Sequence, residues 1–271
     1  MIVIKEPHEI AMMRANGQVL GTLAEKLRAM VVPGVTTFEL DEVAEAFIRE
    51  AGALPSFKGY RQTGTPPFPA TICASLNDQV VHGIPNRRQL KEGDILSIDL
   101  GLHRGGYHVD MAFTVGVGEL PERVRLLLDV TERSLYQGVA CAREGKRIGD
   151  IGHAVESTAS PHRFGVVRQF VGHGIGRALH ERPSVPNYGK PNTGDLLKAG
   201  MCLAIEPMIT LGTWDTKVLK DGWTVVTKDG SLAAHFEHTV AITPEGPEVL
   251  TRAPPPRIPS DEPAAPARSG E

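Results

Sequence analysis

The sequence predicts an α+β protein built from two related halves, each with a pair of outer helices and a curled antiparallel sheet. Three observations predict it. The coarse order of elements is helix, helix, strands, and then the same again. GVTTFELDEVAE (Gly34–Glu45) aligns with GKRIGDIGHAVE (Gly145–Glu156) at an offset of 111. GDILSID (Gly93–Asp99) aligns with GMCLAIE (Gly200–Glu206) at an offset of 107. Two matches at nearly one offset imply halves of about 1–118 and 119–251, related by a pseudo-twofold axis, with a polar site where the sheets meet.

Each element follows from local pattern. From Pro7 to Val32, residues Ile10, Met13, Gly17, Leu20, Ala24, Leu27 and Val31 recur at spacings of three and four, which predicts a helix. Pro33-Gly34 stops it. Thr36 and Glu39 form a capping box that opens a second helix, and Gly52 is placed to end it. Strand and turn texture follows over 70–117. Pro121 opens a third helix reaching about Ala142, and a fourth runs over 149–159. Strand texture returns over 166–242. The remainder, 252–271, is rich in Pro and Ala without periodicity. It is expected to be a disordered tail outside the catalytic domain of 1–251.

Composition narrows the function classes. Of 271 residues, 41% are apolar and 23% charged, as in soluble globular proteins. A net charge of −3 gives no reason to expect nucleic-acid binding, and REGKR (Arg143–Arg147) reads as a solvated face. Cys73, Cys141 and Cys202 suit neither a disulfide framework nor a zinc knuckle. No signal-peptide core or membrane-length apolar run is found, so a cytoplasmic protein is expected.

The chemistry gathers in five places. In GDILSIDLGLHRGGYHVDMAFTV, alternating strands flank Gly105-Gly106, a two-residue turn. That turn sets Arg104 opposite Tyr107 and Gly101 opposite Asp110, so Asp99 and Asp110 become diagonal neighbours on one face. The missing side chain at Gly101 is expected to leave room for an ion. Two such carboxylates repel, and the ordinary alternatives are a shared proton or an exposed strand face. Glu206 holds the repeat position of Asp99, however, and Glu237 in HFEHTVAIT matches Asp110. Four carboxylates in one cleft require cations, and two divalent ions would satisfy them. His173 sits among three glycines in FVGHGIG and adds an imidazole. This oxygen-rich set with one nitrogen suits manganese, iron, cobalt or zinc. His82 and His180 lie in loops of opposite halves, about one repeat apart.

With these residues in hand, the chain resembles the type I methionine aminopeptidases, which have the pita-bread fold. The likeness runs from about Lys5 to Thr251. It rests on SLNDQVVHGIP, on the ID and D of the hairpin, and on GHGIGRALHERP, AIEPM and EHTVAIT. It implies metal ligation by Asp99, Asp110, His173, Glu206 and Glu237, with Asp110 and Glu237 shared between two divalent ions. It also implies proton transfer by Glu206, contact of His180 with the scissile carbonyl and of His82 with the released amide nitrogen. The implied methionine pocket comprises Cys73, Phe68, Trp223 and Leu179. The substrates would be nascent polypeptide N-termini near the ribosome, unformylated and with a small second residue. A monomer that touches neither nucleic acid nor membrane is expected. Two departures from the family pattern stand out. GYRQTGTPPFP (Gly59–Pro69) is several residues longer than usual, and Leu179 replaces a frequent Phe. The alternatives are an Xaa-Pro aminopeptidase-like hydrolase and a non-catalytic peptide-binding relative.

Overall fold

The computed structural model describes residues 1–254; the rest of the predicted tail, 255–271, lies outside the described residues. Four long helices flank the sheets: α1 (Pro7–Met30), α2 (Thr37–Glu50), α3 (Glu122–Cys141) and α4 (Ile148–Ala159). Thr36 opens α2 as expected. Its Oγ1 accepts the Glu39 N–H, while Glu39 accepts the Thr36 N–H at 2.8 Å.

The two halves repeat in detail. Thr36 bridges Gln89 in the first, and Arg147 bridges Leu196 in the second. Leu90 N–H donates to Val35 O at 2.8 Å, and Leu197 N–H to Lys146 O at 2.8 Å. These contacts reproduce the offsets of 111 and 107 read from the sequence.

Nine antiparallel strands form the central sheet. The order is Leu54–Pro55, Ile95–Arg104, Tyr107–Gly116, Glu237–Thr243, Cys202–Ile205, Gly172–Gly174 and Glu181–Val185. Ile72–Leu76 adds to Ile95–Arg104, and Gly246–Val249 to Glu237–Thr243. The halves meet where Glu237 pairs with Ala112 and His238 with Met111. Gly105 and Gly106, at φ +60° and +87°, make the hairpin turn, and the register is the expected one: Gly101 opposite Asp110, Arg104 opposite Tyr107.

Alternation then sorts the side chains. Leu96, Ile98, Leu100, Leu102, Val109, Met111 and Phe113 point to one face and are buried in the main core with Leu20, Leu27 and Leu127 from the helices. Asp99, Asp110 and Glu237 point to the other. On the helix side the chain packs tightly. A Cβ on Gly17 would lie 2.2 Å from Leu250 O, and one on Gly21 2.3 Å from Ala253 N. The first residues of the predicted tail, Arg252 and Ala253, therefore lie against α1. No described helix is long and apolar enough to cross a membrane.

Candidate metal centre

The register brings three strands' acids into one row. Asp99 pairs with Ala112 on one side and Glu237 with Ala112 on the other, so a methyl group separates two carboxylates. Asp110 lies two residues from Ala112 on the same face. Glu206 follows Ile205, which pairs with His238, and so falls beside Glu237. His173 pairs with Ala204 and points the same way. Ligand atoms of Asp110, His173 and Glu237 lie within 4.8 Å of one another. His173 Nε2 is 3.7 Å from both Asp110 Oδ2 and Glu206 Oε1.

Glycines permit this crowding at His173. A Cβ on Gly172 would stand 2.3 Å from Ala204 O, and one on Gly174 2.2 Å from Arg182 O. Gly101 acts differently from expectation. A Cβ there would meet the Phe57 ring at 3.0 Å and Ser56 Cβ at 3.1 Å, so its missing side chain admits Phe57 rather than an ion.

The electrostatics call for cations. Burial, and then the neighbouring Asp110 charge, holds the Asp99 carboxyl well above its usual range. Burial followed by repulsion from the other acids does the same to Glu206 and Glu237. Asp110 is pushed up to about 7 by burial, against hydrogen bonds from Thr239 and Glu237. Asp99 Oδ1 is buried with no hydrogen-bond partner among the described residues. His173 donates Nδ1–H to Gly174 O at 2.9 Å, which leaves the Nε2 lone pair free, while burial keeps its pKa near 4. Deprotonated oxygens plus one neutral imidazole make a donor set that fits divalent metal ions.

Every residue expected at the site lines one cavity of about 260 Å³: Asp99, Asp110, His173, Glu206, Glu237, His82, His180, Cys73, Phe68, Trp223 and Leu179. Beside the acids, where Cys73 pairs with Asp99, Phe68, Cys73 and Trp223 form their own apolar cluster. The Phe68 and Trp223 rings meet edge to face at 5.3 Å. Trp223 Nε1–H donates to Pro66 O at 2.9 Å, so the long Gly59–Pro69 segment is tied to the pocket wall. His82, at φ +59°, follows the short strand Gln79–Val81 and stands 6.1 Å from the Trp223 ring. His180 lies at the cavity mouth, between Tyr60 at 5.2 Å and His173 at 4.3 Å. Burial lowers the pKa of His82 to about 4 and of His180 to about 3, so both are neutral at pH 7.

Sequence reasoning missed several neighbours. The Tyr60 hydroxyl is 2.8 Å from His180 Nδ1. His235 Nε2 is 3.4 Å from Glu206 Oε2. Thr239 Oγ1 donates to Asp110 O at 2.8 Å and accepts the Asp110 N–H at 3.0 Å. Thr239 had a signal, being two residues from Glu237 and thus on its face. Tyr60 lies inside the segment already marked as unusual. Lys5 also reaches the site's frame. Its Nζ is 2.6 Å from Glu181 Oε2, beside His180, and the two side chains are only 2% and 8% exposed. Its backbone N–H donates to Gly200 O at 2.7 Å, on the approach to Glu206.

Residues 11–244 match metallopeptidase family M24. The chain is 49% identical to methionine aminopeptidase 1 of Bacillus subtilis over 93% of its length and 100% of that protein's. It is 50% identical to a methionine aminopeptidase of Clostridium perfringens, over 93% and 99%. Its fold matches the crystal structure of a methionine aminopeptidase from Rickettsia prowazekii with a TM-score of 0.89 and 40% identity, over 93% and 100%. An Xaa-Pro dipeptidase from Bacillus anthracis shares the fold alone, at 22% identity and a TM-score of 0.71, and the chain spans 62% of it. The chain therefore belongs to metallopeptidase family M24, an enzyme whose chemistry rests on a pair of divalent metal ions. Within that family its branch is that of the methionine aminopeptidases, with their pita-bread fold.

Proposed function

We propose that this enzyme removes the initiator methionine from new proteins by hydrolysing the first peptide bond, when the amine is unformylated and the second residue is small. One observation carries this reading: a single cavity joins an acidic wall with one imidazole to an apolar wall of Cys73, Phe68 and Trp223. The first wall suits a terminal amine and the scissile bond, and the second a thioether packed on rings.

Asp99, Asp110, His173, Glu206 and Glu237 would hold the two ions. Such ions polarise a carbonyl and make water nucleophilic at neutral pH. The chain's own residues do the rest. With Nδ1 accepting from the Tyr60 hydroxyl, His180 presents Nε2–H to the carbonyl oxygen of the bond to be cut. Glu206 sits where a carboxyl can take and return a proton, and His235 stands behind it. His82, whose ring stands 6.1 Å from that of Trp223, would contact the leaving amide nitrogen. A formyl group would remove the amine's charge and add bulk at the acidic wall. The second residue passes between His82 and His180, which favours Gly, Ala or Ser. In this reading the enzyme works in the cytoplasm as a monomer, on chains leaving the ribosome.

The test is kcat/KM on Met-Ala-Ser, formyl-Met-Ala-Ser and Met-Lys-Ser peptides, with metal content measured on the same samples. Cleavage of the first alone, abolished by a chelator, is expected. Efficient cleavage of Met-Lys or formylated peptides, or of Xaa-Pro bonds irrespective of methionine, would overturn the specificity.

A further inference from the structure

Beyond the paired acids, the same face of the hairpin carries two further imidazoles. His103 lies directly opposite His108, one step nearer the turn than Gly101 and Asp110. Their pairing is of the close kind. His108 N–H points outward, donating to Gly176 O at 2.7 Å, so the 103–108 pair is a non-hydrogen-bonded one. In such pairs the side chains come closest, and the two rings have centroids 4.4 Å apart, tilted by 35°. Both residues are half-buried, open enough to be reached.

The orientation is also set. Ser56 Oγ lies 2.9 Å from His108 Nδ1, and Ser56 is itself buried. When Nδ1–H donates to Ser56, the Nε2 lone pair is left free for a ligand. A side chain behind a histidine that fixes its tautomer is what supports a metal-binding imidazole. Backbone bonds hold Ser56 in turn, its N–H donating to Gly101 O at 3.0 Å.

We propose that His103 and His108 form a third, separate metal site, selective for a borderline divalent transition ion such as Zn²⁺, Ni²⁺ or Cu²⁺. Two imidazoles at a half-buried surface favour these ions over Mg²⁺ or Ca²⁺, which demand oxygen donors. The site lies about 7 Å along the sheet from Asp110, two residues of extended chain away. It would fill after the tighter paired site, as the metal concentration rises.

The experiment is equilibrium dialysis of the untagged full chain against Zn²⁺, followed by metal analysis of protein and buffer. The expected result is one more equivalent at saturation in the wild type than in His103→Ala, with both keeping the two tight equivalents. Hydrolysis at two equivalents should be unchanged in His103→Ala, since His103 touches no part of the catalytic cavity. Ser56→Ala should weaken the extra site by roughly 10- to 100-fold, as loss of a second-layer partner does. With Cu²⁺ added to zinc-loaded protein, the electron paramagnetic spectrum should show two nitrogen donors, reduced in the variant. Equal zinc stoichiometry in the wild type and His103→Ala would overturn the proposal. If His103→Ala loses the tight equivalents as well, His103→Gln, which keeps volume and polarity, takes its place and is read by the same two outcomes.

Discussion

The two halves place equivalent strands around the centre but fill them unequally. In the first half, Asp99 and Asp110 stand on a hairpin closed by two glycines. In the second, Glu206 and Glu237 stand on paired strands whose connection spans residues 207–236. That excursion supplies Met208 and Trp223 to the cavity lining, and His235 beside Glu206. The inequality is clearest one strand further out. Ser75 pairs with Ser97 in the first half, as His173 pairs with Ala204 in the second. Ser75 spends its hydroxyl on the Gly83 N–H at 3.0 Å, a structural bond, whereas His173 keeps a free nitrogen. A duplicated frame has thus been divided: both halves give acids and walls of the pocket, and only the second gives the imidazole that stands among the acids.

The largest effects should come from the acids shared across the seam. Asp110→Asn and Glu237→Gln are each expected to lose bound metal and essentially all hydrolysis, and a variant that kept full activity would break the equivalence of the halves. Their stability should move the other way. With no metal, each substitution removes one of four repelling carboxylates, so the chelated variant should melt above the chelated wild type. The pH dependence has the same origin. Because Asp110 is raised to about 7 in the fold, the folded state holds protons that the unfolded chain releases. In metal-free protein the Asp110 contribution to stability should therefore be fully present below about pH 4, the range of an unperturbed aspartate, and be lost as pH rises toward 7. Thermal melts of chelated wild type against chelated Asp110→Asn across this range check the sign; a difference between the two that did not change with pH would refute it.

Next in size is the N-terminal contact that reaches only the second half. Lys5→Met leaves Glu181 buried without its partner, which should cost about 3–5 kcal/mol in denaturant unfolding. A loss under about 1 kcal/mol, the range of exposed pairs, would mean that water replaces the ammonium group. The two loop histidines test the comparison directly. His180→Ala should retain metal and lower kcat by roughly 10²- to 10³-fold, as loss of one donor at a developing oxyanion does. His82→Ala should cost less if, as proposed, its contact is with the leaving group rather than that oxygen. If His180→Ala bound no metal, the histidine would have to be counted among the ligands. Smallest is Leu179→Phe, which restores an aromatic wall. It should sharpen methionine over leucine in kcat/KM by no more than about 1–3 kcal/mol.

Much of this was legible in the sequence because its signals are local or periodic. The hairpin register follows from Gly105-Gly106, the site face from alternation, and the second pair of acids from the repeat. What the sequence hid depends on contacts between distant segments. Gln79–Val81 of the first half pairs with Val225–Thr227 of the second, and no periodicity foretells that. Lys5 reaching Glu181, Tyr60 reaching His180 and His235 reaching Glu206 are of the same kind. Gly101 shows the limit within a strand, since the pattern gave the vacancy but not Phe57 as its occupant.

The close approach of Leu250–Ala253 to Gly17 and Gly21 has a consequence in time. The last described residues seal the first helix, and the row of acids joins Asp99 to Glu237. Pairings of such long sequence separation close late, and a chain made from its N-terminus exposes its first helix long before residue 250 exists. The row of acids therefore assembles, and α1 is covered, only after the chain has been made to about residue 250.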